Sequence, residues 1–168
     1  MSEVVLETAR LRLRPFSSDD IDRLHRHWTD PDVRRWLWDG REVARDEVVA
    51  IVDESRAAFA AGGAGFWVIE HDGAFVGFVG FRAMPDSDDL ELYYGLEPAS
   101  WGQGVATEAS RAALHHAFDV LGLDHVWIRT DGPNAASVAV MERLGARYVR
   151  TDPTGAFGTT IVYVARRA

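Results

Sequence analysis

Residues 101–110 read WGQGVATEAS: Gly102 and Gly104 stand two apart, Ala106 follows two further on, and Thr107 and Glu108 open an alanine-rich run. The chemistry available to such a stretch is that of its backbone. A glycine turn that ends a strand and opens a helix leaves several N–H groups without carbonyl partners, and with the helix dipole these suit a phosphate. A Cβ at the glycines would block close approach of the ligand. The same residues also serve a tight turn with a small-residue helix contact, and G-x-G-x-A alone does not separate the two. Two familiar phosphate motifs fail. A Walker A turn requires a lysine followed by Ser or Thr, and there is none here. A dinucleotide fingerprint requires a third glycine where Thr107 stands and an acid at the end of the next strand; Asp124 has the distance but precedes its strand.

The elements that must hold this turn are legible in the pattern of apolar residues. LRLR, residues 11–14, alternates with period two and reads as a strand. Ser17 or Ser18, with acids close behind, starts a helix that Asp30-Pro31 breaks. A second helix is expected from Val43 to Ala61, ended by Gly62-Gly63. Residues 66–70 and 74–82 form strands joined by the short His71-Asp72-Gly73 loop. Residues 90–96, LELYYGL, form a third strand of this run, leading into the glycine turn and a helix from about Thr107 to Leu121, with Ala113, Ala117 and Leu121 on one stripe. VWIRT, residues 126–130, is the next strand; Asn134 caps a short helix ending at Leu144-Gly145, and YVR with IVYVAR suggests a closing hairpin. The order implies an α+β fold with early helices, a run of antiparallel strands and a parallel strand-helix-strand crossover.

At 168 residues with 47% apolar content the chain fills one domain, 1–168. The start MSEVVLETARLRLRPF has no apolar segment behind a basic one, and the most apolar run, residues 57–69, is too short for a bilayer, so the expected location is cytoplasmic with no membrane partner. The absence of cysteine removes disulfides, thiolate metal sites and thiol nucleophiles. A net charge of −8 disfavours nucleic acid and favours a cationic or amine-bearing partner. His25 with His27 and His115 with His116 diverge on their helices, so no metal is expected and the histidines read as solvated or capped.

The flanks of the turn extend this reading. ELYYGLEP (91–98) leads in, Asn134-x-x-Ser137 and Glu142-Arg143-Leu144-Gly145 follow, and LETARLRLRPF, TDPDVRRW and GFVGFR precede in order. The chain resembles the GNAT acetyltransferase superfamily, and within it the ribosomal-protein N-terminal (alanine) acetyltransferase branch, over nearly its whole length. Gly104-Val105-Ala106 match the second half of the superfamily turn, while Trp101 stands where most members have Gln or Arg. The resemblance implies a mostly antiparallel twisted sheet of about seven strands flanked by about four helices, with a splayed strand pair forming the CoA cleft. It implies acetyl-CoA as cofactor with no metal, direct acetyl transfer to a primary amine, and room for a homodimer. Residues Gly102, Gln103, Gly104, Val105, Ala106 and Thr107 would hold the CoA diphosphate, Tyr94 and Leu96 the pantetheine arm, Asn134 its amides, and Arg143 a CoA phosphate.

Acyl transfer to an amine needs a neutral nucleophile, oxyanion donors and stabilisation of the leaving thiolate. Gly95 inside an apolar strand marks a bulge or a close approach. Glu91 matches the position of a base acting directly or through water in similar enzymes. An α-amine with pKa about 8 sheds its proton more easily than a lysine near 10.4, a difference of about 3 kcal/mol, which favours an N-terminal α-amine over other acceptors. Met141 stands where many GNAT enzymes carry a proton-donating tyrosine, and the resemblance passes that part to Ser137. Trp28 and Trp36, with Trp38, crowd the segment that covers the acceptor end in this family; they would wall the acceptor or pack in the core. Asp86, Asp88 and Asp89 would attract a cation or simply solvate a loop. The alternative, prompted by Met141, is a CoA-binding sensor or interaction module with weakened catalysis.

Overall fold

A computed structural model describes residues 3–168. In chain order its elements are β1 (Leu6–Glu7), β2 (Leu11–Pro15), α1 (Ile21–Thr29), α2 (Pro31–Arg34), α3 (Arg45–Ala60), β3 (Phe66–His71), β4 (Ala74–Ala83), β5 (Leu90–Leu96), α4 (Val105–His115), β6 (His125–Asp131), α5 (Ala135–Arg143), β7 (Arg147–Asp152) and β8 (Thr160–Arg166). The strands form one sheet in the order β1-β2-β3-β4-β5-β6-β8-β7. Every neighbouring pair is antiparallel except β5 with β6, which the α4 crossover joins in parallel. The sheet has eight strands where about seven are expected, because the two-residue β1 pairs with β2; a stretch so short carries no periodic signal.

The strand alternation divides the interior in two. On β2, Leu11 and Leu13 are buried while Arg12 and Arg14 point away. On β3, Trp67 and Ile69 join Leu92, Ala109, Ala113 and Met141 in a core beneath α4 and α5. Phe66 and Val68 face the other way, with Phe16, Leu24, Trp28, Val52 and Phe78, under α1 and α3. The sheet is therefore the middle of three layers.

Local chemistry sets the element ends. The β3–β4 loop is the two-residue turn Asp72-Gly73, both at positive φ, as the hairpin twist demands. Ser17 caps a short 3-10 turn ahead of α1, and Asp20 turns inward to accept from Arg14 Nη1 and Nη2, each at 2.9 Å. Burial alone would push the Asp20 carboxyl up, but Arg14 and the Ser17 N–H hold it below the usual carboxylate range. α4 starts two residues earlier than expected and closes in a π-helical turn, His116–Val120, before Gly122. The histidine expectation needs correction: His27 is 1% exposed, edge-on to Phe75 and Phe78, and burial pushes its imidazole down despite Glu97 nearby. His116 is likewise buried, against Trp67. Among the described residues no helix is long and apolar enough to cross a membrane, and no group of three His, Asp or Glu is disposed to hold a metal.

Candidate active site

β4 and β5 pair without interruption from Gly77 opposite Leu96 to Ala83 opposite Leu90, whereas β5 and β6 share one bridge, Glu91 with Trp127. Beyond that bridge the two strands part and open a cleft of about 1820 Å³, walled by β5, β6, the head of α4, the head of α5 and the segment around 32–39. Alternation along β5 sorts its side chains between the two sides of the sheet. Leu92, Tyr94 and Leu96 pack toward α4 and α5; Tyr93 packs toward α1 and α3, and Glu91 and Gly95 share its side. No bulge occurs at Gly95. A Cβ there would lie 2.8 Å from Phe78 and 3.1 Å from Leu37, so the glycine admits those side chains.

On the α4 side, Gly102 and Gly104 adopt φ of +73° and +76°, and Gly104 is the N-cap of α4. A side chain at these glycines would meet no clash within 3.5 Å, so conformation and not space requires them. Among the described residues, no protein group accepts from the N–H groups of residues 102–107; the first helical amide to find a carbonyl is Glu108, on Gly104 at 3.1 Å. Val105, Ala106 and Thr107 are buried, and the hydroxyl of Thr107, a cleft-lining residue 8% exposed as a whole, is itself buried and has no partner either among the described residues. Six free donors and an orphaned hydroxyl at a helix head fit a diphosphate. The loop is anchored from outside: Glu108 accepts from the Thr8 hydroxyl at 2.7 Å, the Arg10 N–H at 3.0 Å and Arg10 Nε at 2.7 Å, while Arg10 Nη2 donates to the Gln103 carbonyl at 3.0 Å. Burial alone would raise the Glu108 carboxyl, but these bonds hold it below the usual range. Gln103 Nε2 donates to Ala99, and Trp101 Nε1 ties the turn to the Leu96 carbonyl at 3.1 Å.

At the head of α5 the Asn134 side chain accepts from the Ser137 N–H at 3.2 Å, and the Ser137 hydroxyl lies 2.6 Å from that of Tyr94. Burial pushes Tyr94 up to about 12. Arg143 is exposed in the last turn of α5, on the cleft rim, and its carbonyl accepts from Arg111.

The other side is built from side-chain pairs. Glu91 is 3% exposed and accepts from Arg129 Nε at 2.7 Å, Arg129 Nη2 at 2.8 Å and the Tyr93 hydroxyl at 2.8 Å. Of four lone-pair positions on the carboxylate, three are taken. Trp36 stands at the rim with Phe157 at 5.0 Å and the Arg35 guanidinium at 4.9 Å from its ring. Trp28, the other tryptophan expected to wall the acceptor, is 0% exposed and packs on Phe16, Trp38 and Phe78; it takes the core role. Asp89 is not free for a substrate either: its Oδ2 holds Trp127 Nε1 and His125 Nε2, each at 3.0 Å. Asp131 and Asp39 both line the cleft, and the Asp131 carboxyl is pushed up by burial and by Asp39. Arg129, Tyr93, Asp131 and the Arg10 anchor were not found by sequence reasoning; the even spacing of Arg129 and Asp131 on β6 was the one available signal.

Residues 10–147 match the acetyltransferase (GNAT) domain family model. An Aspergillus fumigatus protein, FsC-acetyl coenzyme A-N(2)-transacetylase, is 32% identical over 89% of this chain and 68% of its own length. An acetyltransferase of Agrobacterium tumefaciens superposes with a TM-score of 0.84 at 25% identity, covering 99% and 96% of the two chains. RimL, a ribosomal L7/L12 alpha-N-protein acetyltransferase solved in complex with coenzyme A, gives 0.82 at 18% identity over 96% and 97%. The splayed sheet, the donor-rich loop and this extended match agree, and the chain belongs to the GNAT family of acetyl-CoA-dependent acetyltransferases.

Proposed function

We propose that this acetyltransferase modifies a primary amine, with a protein or peptide N-terminal α-amine as the preferred acceptor, and that the two substrates enter from opposite sides of the sheet and meet where β5 leaves β6. The observation that carries the reading is the division of β5. Tyr94 and Leu96 face α4 and α5, beside the free amides of residues 102–107; Glu91 and Tyr93 face α1 and α3, beside Trp36 and Asp131.

Acetyl-CoA supplies the activated acetyl group and a thiolate that can leave. The amides of Gly102, Gln103, Gly104, Val105, Ala106 and Thr107 would bind its diphosphate, Asn134 and the β5 backbone at Tyr94 and Leu96 its pantetheine arm, and Arg143 an outer phosphate. The free edge of β5 beyond Glu91 suits an extended arm, since it already has the spacing of a strand partner. The Ser137 hydroxyl would donate to the sulfur. It stabilises the thiolate by hydrogen bonding, because a serine is too weak an acid to surrender its proton to a group of pKa about 8.5.

On the acceptor side Glu91 would accept a hydrogen bond from the amine, or from a water between them, through its one remaining lone pair, while Arg129 and Tyr93 fix its orientation. A carboxylate so occupied suits an amine that is partly neutral already. This is the support for an α-amine, pKa about 8, over a lysine-like amine near 10.4. Asp131 and Asp39 would draw the ammonium form to the mouth, and Trp36 with Phe157 would wall it. A small-molecule amine is the second reading; the 32% identical relative is named FsC-acetyl coenzyme A-N(2)-transacetylase and its name specifies no protein N-terminus.

An acceptor panel of N-terminally free peptides, lysine-bearing N-blocked peptides, polyamines and aminoglycosides, read by release of free CoA, separates these. For the α-amine reading, kcat/KM with peptides rises with pH and levels near the amine pKa of about 8. Turnover confined to N-blocked or non-peptide amines would refute it.

A further inference from the structure

The cleft holds one contact that the assigned roles leave unexplained: two hydroxyls, one from the sheet and one from a helix, 2.6 Å apart. A pair of hydroxyls shares a single bonding hydrogen, so one donates and the other keeps its hydrogen for something else. Ser137 lies at the head of α5 with its N–H committed to Asn134, and both Ser137 and Tyr94 line the cleft. The Tyr94 hydroxyl has no other hydrogen-bond partner among the described residues. The phenol is the better donor and the poorer acceptor of the two.

We propose that Tyr94 is a positioning residue for the leaving group: its hydroxyl donates to Ser137 Oγ, which orients and polarises the serine so that the serine hydrogen points into the cleft at the departing sulfur. This rests on the reading above that the sulfur arrives beside Ser137. In the transfer itself the amine nitrogen bonds the acetyl carbon as the C–S bond breaks. The electron pair goes to sulfur, the amine loses a proton to water or Glu91, and the thiolate later regains one from solvent. Neither hydroxyl is deprotonated. The raised pKa of Tyr94, about 12, keeps its hydrogen in place across any assay pH. Two hydrogen bonds in series strengthen one another, and the pair stabilises the thiolate more than a lone serine would.

The direct test is titration of the thiol of bound CoA by the ultraviolet absorbance of its thiolate, in the full chain and in Tyr94→Phe, Ser137→Ala and the double variant. The expected result is that the bound thiol becomes about 10-fold less acidic in Tyr94→Phe, that Ser137→Ala does at least as much, and that the double variant is no worse than Ser137→Ala. Replacing Tyr94 by 3-fluorotyrosine, a stronger donor of nearly the same shape, moves the thiol the opposite way. That variant also answers the question if Tyr94→Phe does not fold. Turnover follows the same order, with the KM for acetyl-CoA changed by less than about twofold in Tyr94→Phe. If Ser137→Ala shifts the thiol and neither Tyr94 change does, or if the two losses add, the relay is wrong and the sulfur site stands. If CoA binds and Ser137→Ala leaves the thiol unmoved, the sulfur lies elsewhere and both fall.

Discussion

The two sides of β5 are built by different means. The α4 side offers backbone: the amides of residues 102–107 and two glycines at positive φ, with side chains such as Arg10, Thr8 and Glu108 acting from outside to hold the loop in shape. The α1 side offers side chains paired across distant segments: Glu91 with Arg129, Trp36 with Phe157, Asp131 near Asp39. A backbone site recognises any ligand with the right anion and so can stay the same while acceptors change. A side-chain site is altered by single substitutions, and it is where selectivity for the amine has to arise.

The contrast can be broken experimentally, and the strongest blow is Arg129→Met. It leaves the buried Glu91 carboxylate with only Tyr93, at a cost of about 3 kcal/mol and a melting point lower by about 10 °C. Turnover is expected to be nearly lost while acetyl-CoA affinity, measured by calorimetry below the transition, stays within about threefold. Equal losses in both would mean the two sides are not separable.

Gly104→Val is the converse. A β-branched residue at φ +76° distorts the head of α4 and misdirects its amides, so acetyl-CoA affinity falls about 10- to 100-fold. Acceptor KM at saturating acetyl-CoA should hardly move; an unaltered CoA affinity would exclude the loop as the diphosphate site. The mildest change is Trp36→Ala, which removes one ring of the rim pair and raises acceptor KM about 3- to 10-fold with no effect on CoA binding. If only bulky acceptors feel it, Trp36 and Phe157 set the width of the entrance.

The same contrast explains what could be read from the chain. The proposed cofactor side was legible because its signal is local: Gly102, Gly104, Asn134 and Ser137 lie within elements whose period and caps the sequence displays, and Asp72-Gly73 specifies its hairpin directly. The proposed acceptor side was not, because its meaning is relational. Glu91 stands out as a residue, but nothing in LELYYGL announces Arg129, which meets it only through the parallel bridge from Glu91 to Trp127. Gly95 carries no bulge for a similar reason. Its role is set by Phe78 and Leu37, from other segments, and not by the strand that contains it. Three tryptophans in one stretch went to different fates for want of any local cue to which face each would take.

The single bridge between β5 and β6 has a mechanical corollary. The two halves of the sheet are stitched at one point, so the strand edges above it have amides open to exchange with heavy water in a protein otherwise laced together from β1 to β7. On the proposed binding mode, an extended ligand lying along that edge would act as a temporary ninth strand. Deuterium uptake at residues 92–96 should then slow on adding CoA, reporting the closing of the seam without any chemistry taking place.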